Sequence, residues 1–153
     1  MIDNLKAILA VSALGLPLIV AGSGPARAAD EAAVQVSQKE PYGQYLTDSK
    51  GMSLYLFEAD SDMKSACYDA CAKAWPPLTV EGEPSVGKKL EPGKLATIKR
   101  DDGSTQVTYG GWPLYYFIKD QEAGDTEGQD VEGFGAEWYL VSPEGEKVEG
   151  EGH

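Results

Sequence analysis

Two cysteines in the run Cys67-Tyr-Asp-Ala-Cys71 and two copies of a Tyr-x-Phe-x-x-Asp pattern, Tyr55/Phe57/Asp60 and Tyr115/Phe117/Asp120, are the residues whose types and spacing could do chemistry. A separation of four puts both thiols on one side of a helical turn, near the upper end of the Cα distance a disulfide spans. A bridge there belongs at a helix end or a distorted turn. So short a loop constrains the unfolded chain little. The alternative is a reversible redox pair or a thiolate site for copper, with Met63 as a further soft donor. Against it, the spacing is not the two-residue spacing of oxidoreductases, and no histidine stands nearby.

The repeated Tyr and Asp also carry two readings. In the first, Tyr55 and Tyr115 bury their rings and tie their hydroxyls into the core, while Asp60 and Asp120 accept backbone N–H groups in the turn after each strand. In the second, the acids are paired oxygen sites for a divalent cation such as calcium. Asp60 and Asp62 would serve in one copy, with Glu58 and Asp69 nearby, and Asp120, Glu122 and Asp125 in the other, with Glu127 and Asp130 nearby. The loop from Asp120 to Asp130 has the acids but not the EF-hand order of ligands and glycine. No nucleophile elbow, phosphate loop or metal-binding histidine motif occurs, and the one histidine, His153, is terminal. No catalytic residue is assigned and a non-enzymatic role is expected.

The elements that must position these residues repeat as well. Gly51 to Asp60 and Gly111 to Asp120 align without a gap as Gly-x-x-Leu-Tyr-x-Phe-x-x-Asp, 60 residues apart, and a tryptophan follows each copy, Trp75 and Trp138. Tyr42–Thr47 and Met52–Phe57 flank the Gly-containing turn 48–51, and Leu95–Arg100 and Gln106–Tyr109 flank Asp101-Asp102-Gly103-Ser104, so both read as hairpins. In each motif the Tyr and Phe share one strand face and the Leu takes the other, so both faces are at least partly covered. Trp112–Ile118 and Glu137–Val141 read as further strands, and Cys67–Trp75 as one short helix that stops at Pro76-Pro77. About 60 residues rarely bury enough surface alone. The expected fold is therefore mainly β: two pseudo-repeated antiparallel β units packed as one compact domain.

Residues 1–28 read as a signal peptide, with Lys6, an apolar run from Ala7 to Ala21 too short to span a membrane, and Ala26-Arg27-Ala28 as the cleavage site. The expected parts beyond it are a flexible segment over 29–40, a repeat domain over 41–142 with copies at about 41–80 and 95–142 joined by a surface loop, and an acidic flexible tail over 143–153. No cysteine lies near the cleavage site, so no stable membrane anchor is expected after it and the chain should be periplasmic or secreted. The full chain carries 13 Lys and Arg against 25 Asp and Glu, a net charge of −12. Such a balance disfavours nucleic acid, whose phosphates need a basic face, and has two readings of equal weight: cations or a basic envelope protein as partners, or solubility and avoidance of self-association.

The tandem motif, the Cys67/Cys71 pair followed by Ala74-Trp75-Pro76-Pro77, and Gly111-Trp112-Pro113-Leu114-Tyr115 running on to Gly124-Asp125-Thr126 and Gly128-Gln129 together resemble the exported secreted-repeat family of predicted lipoproteins. That family is defined by Tyr-x-(Phe/Trp/Tyr)-x-x-Asp, and the likeness covers roughly residues 41–142. It implies an envelope or secreted protein, frequently lipid-anchored, with no established general activity. This sequence lacks the lipid-modified cysteine of many members.

Overall fold

The computed structural model describes residues 33–150, together with Gly15. The expected signal segment otherwise lies outside the described residues. The elements run β1 (Gln35–Lys39), β2 (Gly43–Thr47), β3 (Tyr55–Phe57), α1 (Ala70–Ala74), β4 (Leu95–Lys99), β5 (Thr105–Tyr109), β6 (Trp112–Pro113), β7 (Val131–Gly133) and β8 (Ala136–Leu140). They form a two-stranded sheet β1-β2 and two three-stranded sheets, β3-β8-β7 and β4-β5-β6, all antiparallel.

Each copy opens with its own hairpin. In the second copy it is β4-β5, with Asp102 accepting the Ser104 N–H in the turn. In the first it is β1-β2, and β1 begins 60 residues before β4. The segment 29–40, expected to be flexible, therefore supplies a strand instead. Its polar composition hid it, because few of its described residues face inward: Val34 is fully buried and bridges to Val86, and Ala33 and Val36 pack against the same apolar cluster.

The expected pairing of 42–47 with 52–57 holds only at its turn. Asp48 Oδ1 accepts the N–H groups of Lys50 and Met52, Thr47 bridges to Ser53, and the Leu54 N–H reaches the Leu46 carbonyl. Beyond Leu54 the chain leaves its hairpin, and β3 pairs with β8, Phe57 opposite Trp138. Three further expectations change. The helix starts at Ala70 rather than Cys67, because Asp69 sits at φ 53, outside helical geometry. The strand expected over Trp112–Ile118 shortens to β6 followed by single bridges from Tyr115. The tail is packed as far as it is described: Val148 is buried and its N–H bonds to the Leu140 carbonyl.

Backbone pairing interweaves the copies. Tyr55 and Tyr115 exchange both backbone bonds, N–H to O at 2.8 Å and 3.0 Å. Tyr55 then lies opposite Leu140 of the second copy, and Tyr115 bridges to Pro77 of the first. Leu46 donates to Val141 while Val107 donates to Leu78. Each motif strand is thus flanked by the segment that follows the other copy's tryptophan. Neither motif strand finds all its backbone partners within its own copy, and because β-strand side chains alternate, the woven centre buries both faces. Leu54, Leu56, Leu114 and Tyr139 fill one side, and Tyr55, Phe57, Tyr115 and Phe117 fill the other beside the tryptophans. Among the described residues no helix is long and apolar enough to cross a membrane.

Candidate functional site

The centre of the second cluster is a column of four rings. Phe57 stacks on Trp138 at 4.0 Å between centroids, Trp138 on Trp75 at 3.9 Å, and Trp75 on Phe117 at 4.0 Å. Read by copy, the order is first, second, first, second, which is what a pseudo-twofold axis between the tryptophans produces. Tyr55 meets Trp75 edge-on at 5.5 Å, and Tyr115 meets Trp138 edge-on at 5.2 Å. Edge-to-face contact sets the positive rim of one ring on the negative face of the other.

The motif acids complete this arrangement. The Tyr55 hydroxyl donates to Asp120 Oδ2 at 2.7 Å, and the Tyr115 hydroxyl donates to Asp60 Oδ2 at 2.8 Å. The remaining oxygens accept backbone N–H groups, Asp60 Oδ1 from Ala66 at 2.7 Å and Asp120 Oδ1 from Glu127 at 2.9 Å. Each copy's tyrosine is held by the other copy's aspartate. Burial pushes Asp60 up to about 6, against the opposing pull of the Ala66 N–H, the Tyr115 hydroxyl and the Arg100 charge. Burial raises Asp120 in the same way. Burial first, and then the facing carboxylates, hold both phenols far above their ordinary range, so the tyrosines keep their protons and act as donors.

The surroundings of the two cross-links differ. Beside Tyr115 lies Ser65, which accepts from Arg100 Nη1 at 2.9 Å and from the Cys67 N–H. Arg100 is buried. It also donates to Gln106 Oε1 at 2.8 Å and to the Cys67 carbonyl, and its guanidinium lies 4.3 Å from the Tyr68 ring centre. Its Nε has no partner. Beside Tyr55 the corresponding place holds the backbone of Gly128, whose N–H donates to the Tyr55 hydroxyl at 3.2 Å. A Cβ on Gly128 would stand 2.7 Å from Tyr55 Cζ. Sequence reasoning gave neither residue this role. The available signal for Arg100 was that it is the single arginine after Arg27.

Cys67 and Cys71 are bridged, with Cα atoms 5.2 Å apart and both residues buried at the start of α1. This is the helix-end disulfide, and it leaves neither thiolate free for copper. Met63 accepts a hydrogen bond from the Thr108 hydroxyl at 3.6 Å. The acids considered as calcium ligands do not converge. Asp60 and Asp120 are committed to their cross-links, and Asp125 Oδ2 closes its own turn by accepting the Gln121 and Glu122 N–H groups, which hold it below the usual carboxylate range. Asp62 and Glu122 are exposed. Among the described residues no three His, Cys, Asp or Glu side chains cluster as metal ligands, so the donor set does not fit the ion.

Buried Tyr–Asp cross-links, a shared ring column and exchanged strands define a tandem β repeat in which two copies fold as one body. The family model described as a secreted repeat of unknown function matches residues 36–79 and 96–142, and the chain belongs to that family. It is accordingly an exported protein. Comparison with curated proteins and with solved structures gave no match.

Proposed function

We propose that the exported protein works in the periplasm or outside the cell as a non-enzymatic binding module whose acidic exterior docks the cationic groups of an envelope partner, without a stable membrane anchor once its signal segment is removed. The observation that carries this reading is the pair Glu132 and Glu137, directly opposite one another on β7 and β8 and both exposed. Like charges across a strand pair cost stability. A cation brought by a partner relieves that cost. Glu58 adjoins them at the end of β3, where its N–H bonds to the Glu137 carbonyl. The ion pairs among the described residues, Lys147 with Glu58 and Glu149, and Lys94 with Glu91, leave most of the acids among those residues without a paired cation.

The non-enzymatic part rests on the motif itself. Its tyrosines and aspartates are buried and bonded to each other, so none presents a reactive group to a substrate. The test is capture of partners from an envelope extract on the full exported chain at low and high salt. Binding that weakens as the Debye length shrinks, and that weakens further in the Glu132→Gln/Glu137→Gln variant, supports the reading. Salt-insensitive capture, or none, overturns it. Calorimetry with calcium and copper run alongside would instead favour a metal accessory role if it gave stoichiometric heat.

A further inference from the structure

The pseudo-symmetry allows the two copies to be compared residue by residue, and they also differ where each motif's turn folds back over the other copy's leading glycine. Gly51 and Gly111 both have φ 87, a conformation open to glycine and strained for other residues. The Gly124 N–H donates to the Gly51 carbonyl at 3.3 Å, and the Met63 N–H donates to the Gly111 carbonyl at 3.1 Å. Over Gly51 the turn places Ala123, whose Cβ would lie 3.0 Å from a Cβ on that glycine, so the first position is closed by a methyl group. Over Gly111 it places a carboxylate, with Asp62 Oδ1 2.6 Å from the corresponding point.

Beside that carboxylate a cleft of about 310 Å³ is lined by Asp62, Gly110, Gly111 and Trp112. Where the second copy has Trp112, the first has Met52. Gly110 lies at φ 62 against the backbone of Gly145, where a Cβ would stand 2.9 Å from the Gly145 Cα, so this edge of the cleft is held by glycine. Asp62 is exposed, and among the described residues it accepts no hydrogen bond and pairs with no cation. A carboxylate without a counter-charge beside an indole wall recognises a positively charged nitrogen on a short alkyl stem. The carboxylate offers a charge-assisted hydrogen bond and the ring offers a cation–π face. The volume lies near the lower end of small-ligand sites, about 300 Å³.

We propose that the cleft between Asp62 and Trp112 is a socket for an alkylammonium group. The inference deepens the binding-module reading and rests on it in taking the ammonium group from a cationic partner. The ammonium could belong to a lysine side chain or to a free primary amine, and the chemistry at the socket is the same for both.

The experiment follows the Trp112 indole N–H resonance of the full exported chain during titration with n-butylammonium, the capped peptide acetyl-Gly-Lys-Gly-amide, whose only ammonium is the lysine Nζ, and n-butanol as the neutral control. A saturable shift is expected with at least one of the cations and none with n-butanol. Affinity should fall at least tenfold in Asp62→Asn, whose thermal midpoint should match wild type because the side chain is exposed. A response to the peptide assigns a partner's lysine, whereas a response to n-butylammonium alone assigns a free amine. No shift with either cation, an equal shift with n-butanol, or an unchanged affinity in Asp62→Asn overturns the socket. Salt-sensitive envelope capture that persists in Asp62→Asn while Trp112 stays silent would overturn the socket and leave the binding-module reading standing. Tight n-butylammonium binding without any salt-sensitive capture would do the reverse.

Discussion

The Tyr55 hydroxyl bonds to Asp120 across 65 positions of sequence, and Tyr115 returns the bond to Asp60. A motif that reads in sequence as a local unit, Tyr to Asp over six residues, is therefore satisfied only between copies. Tandem occurrence then has a physical reason: a single copy would bury an aspartate without its tyrosine and half of a ring column. An unmatched buried polar group costs about 1–3 kcal/mol, more for a charged one.

The ends of the ring column are the first test. Phe57→Ala and Phe117→Ala are each expected to cost about 3–5 kcal/mol, since each removes a buried ring stacked on a tryptophan. Asp125→Asn should cost much less, because that side chain serves only its own exposed turn. Chemical denaturation reads the three together, and a wild-type midpoint for either Phe variant would contradict the column's role.

At Gly128 the added methyl meets rigid neighbours, Tyr55 Cζ at 2.7 Å in a ring held edge-on and by its hydroxyl bond to Asp120, and Trp75 Cη2 at 2.9 Å in the stacked column. Gly128→Ala should destabilise by about 1–3 kcal/mol through overpacking. Gly93→Ala, where the space is open, should lie within about 0.5 kcal/mol of wild type. Equal thermal midpoints for the two variants would count against the close approach.

Asp60 sets a pH dependence with a definite sign. Its folded value of about 6 lies above its ordinary value of 3.8, so the folded state holds the proton more tightly than the unfolded chain does. Its contribution is fully present below pH ~4 and is lost as pH rises through 6, on the order of 2 kcal/mol. Wild type should therefore lose stability relative to Asp60→Asn between pH 4 and 7. Parallel stability curves for the two proteins across that range would refute the assignment.

The disulfide is expected to be complete in the exported protein. Mass spectrometry without reductant should find no alkylatable thiol, and two reactive cysteines in freshly isolated native protein would contradict the buried bridge.

How far the sequence could be read follows from how local each signal is. The β4-β5 hairpin carries Asp-Gly in its turn and alternating β-formers, and it forms where expected. The helix-end disulfide followed from a spacing of four. β1 escaped notice because a half-buried strand with Val36 as its one apolar residue has no pattern to distinguish it from a polar tail, and the packed tail escaped because, among its described residues, Val148 is the one buried apolar side chain. The backbone bonds to Asp60 and Asp120 were legible as turn chemistry, whereas the tyrosine on the other oxygen was not. Which copy supplies that tyrosine depends on the exchange of strands between copies, a relation of about 60 residues that no local periodicity encodes. The roles of Arg100 and Gly128 were invisible for the same reason, since each is defined by what the other copy brings against it.

The cross-copy lock is tested most directly by double-mutant cycles in chemical denaturation, combining Tyr55→Phe with Asp120→Asn and, as the control, Tyr55→Phe with Asp60→Asn. A coupling of about 1.5–3 kcal/mol is expected for Tyr55 with Asp120, the range of a hydrogen bond to a charged group. For Tyr55 with Asp60, the pair within one motif, additivity within about 0.5 kcal/mol is expected. Coupling concentrated in the Tyr55/Asp60 pair, or absent from Tyr55/Asp120, would contradict the exchange of partners between the copies.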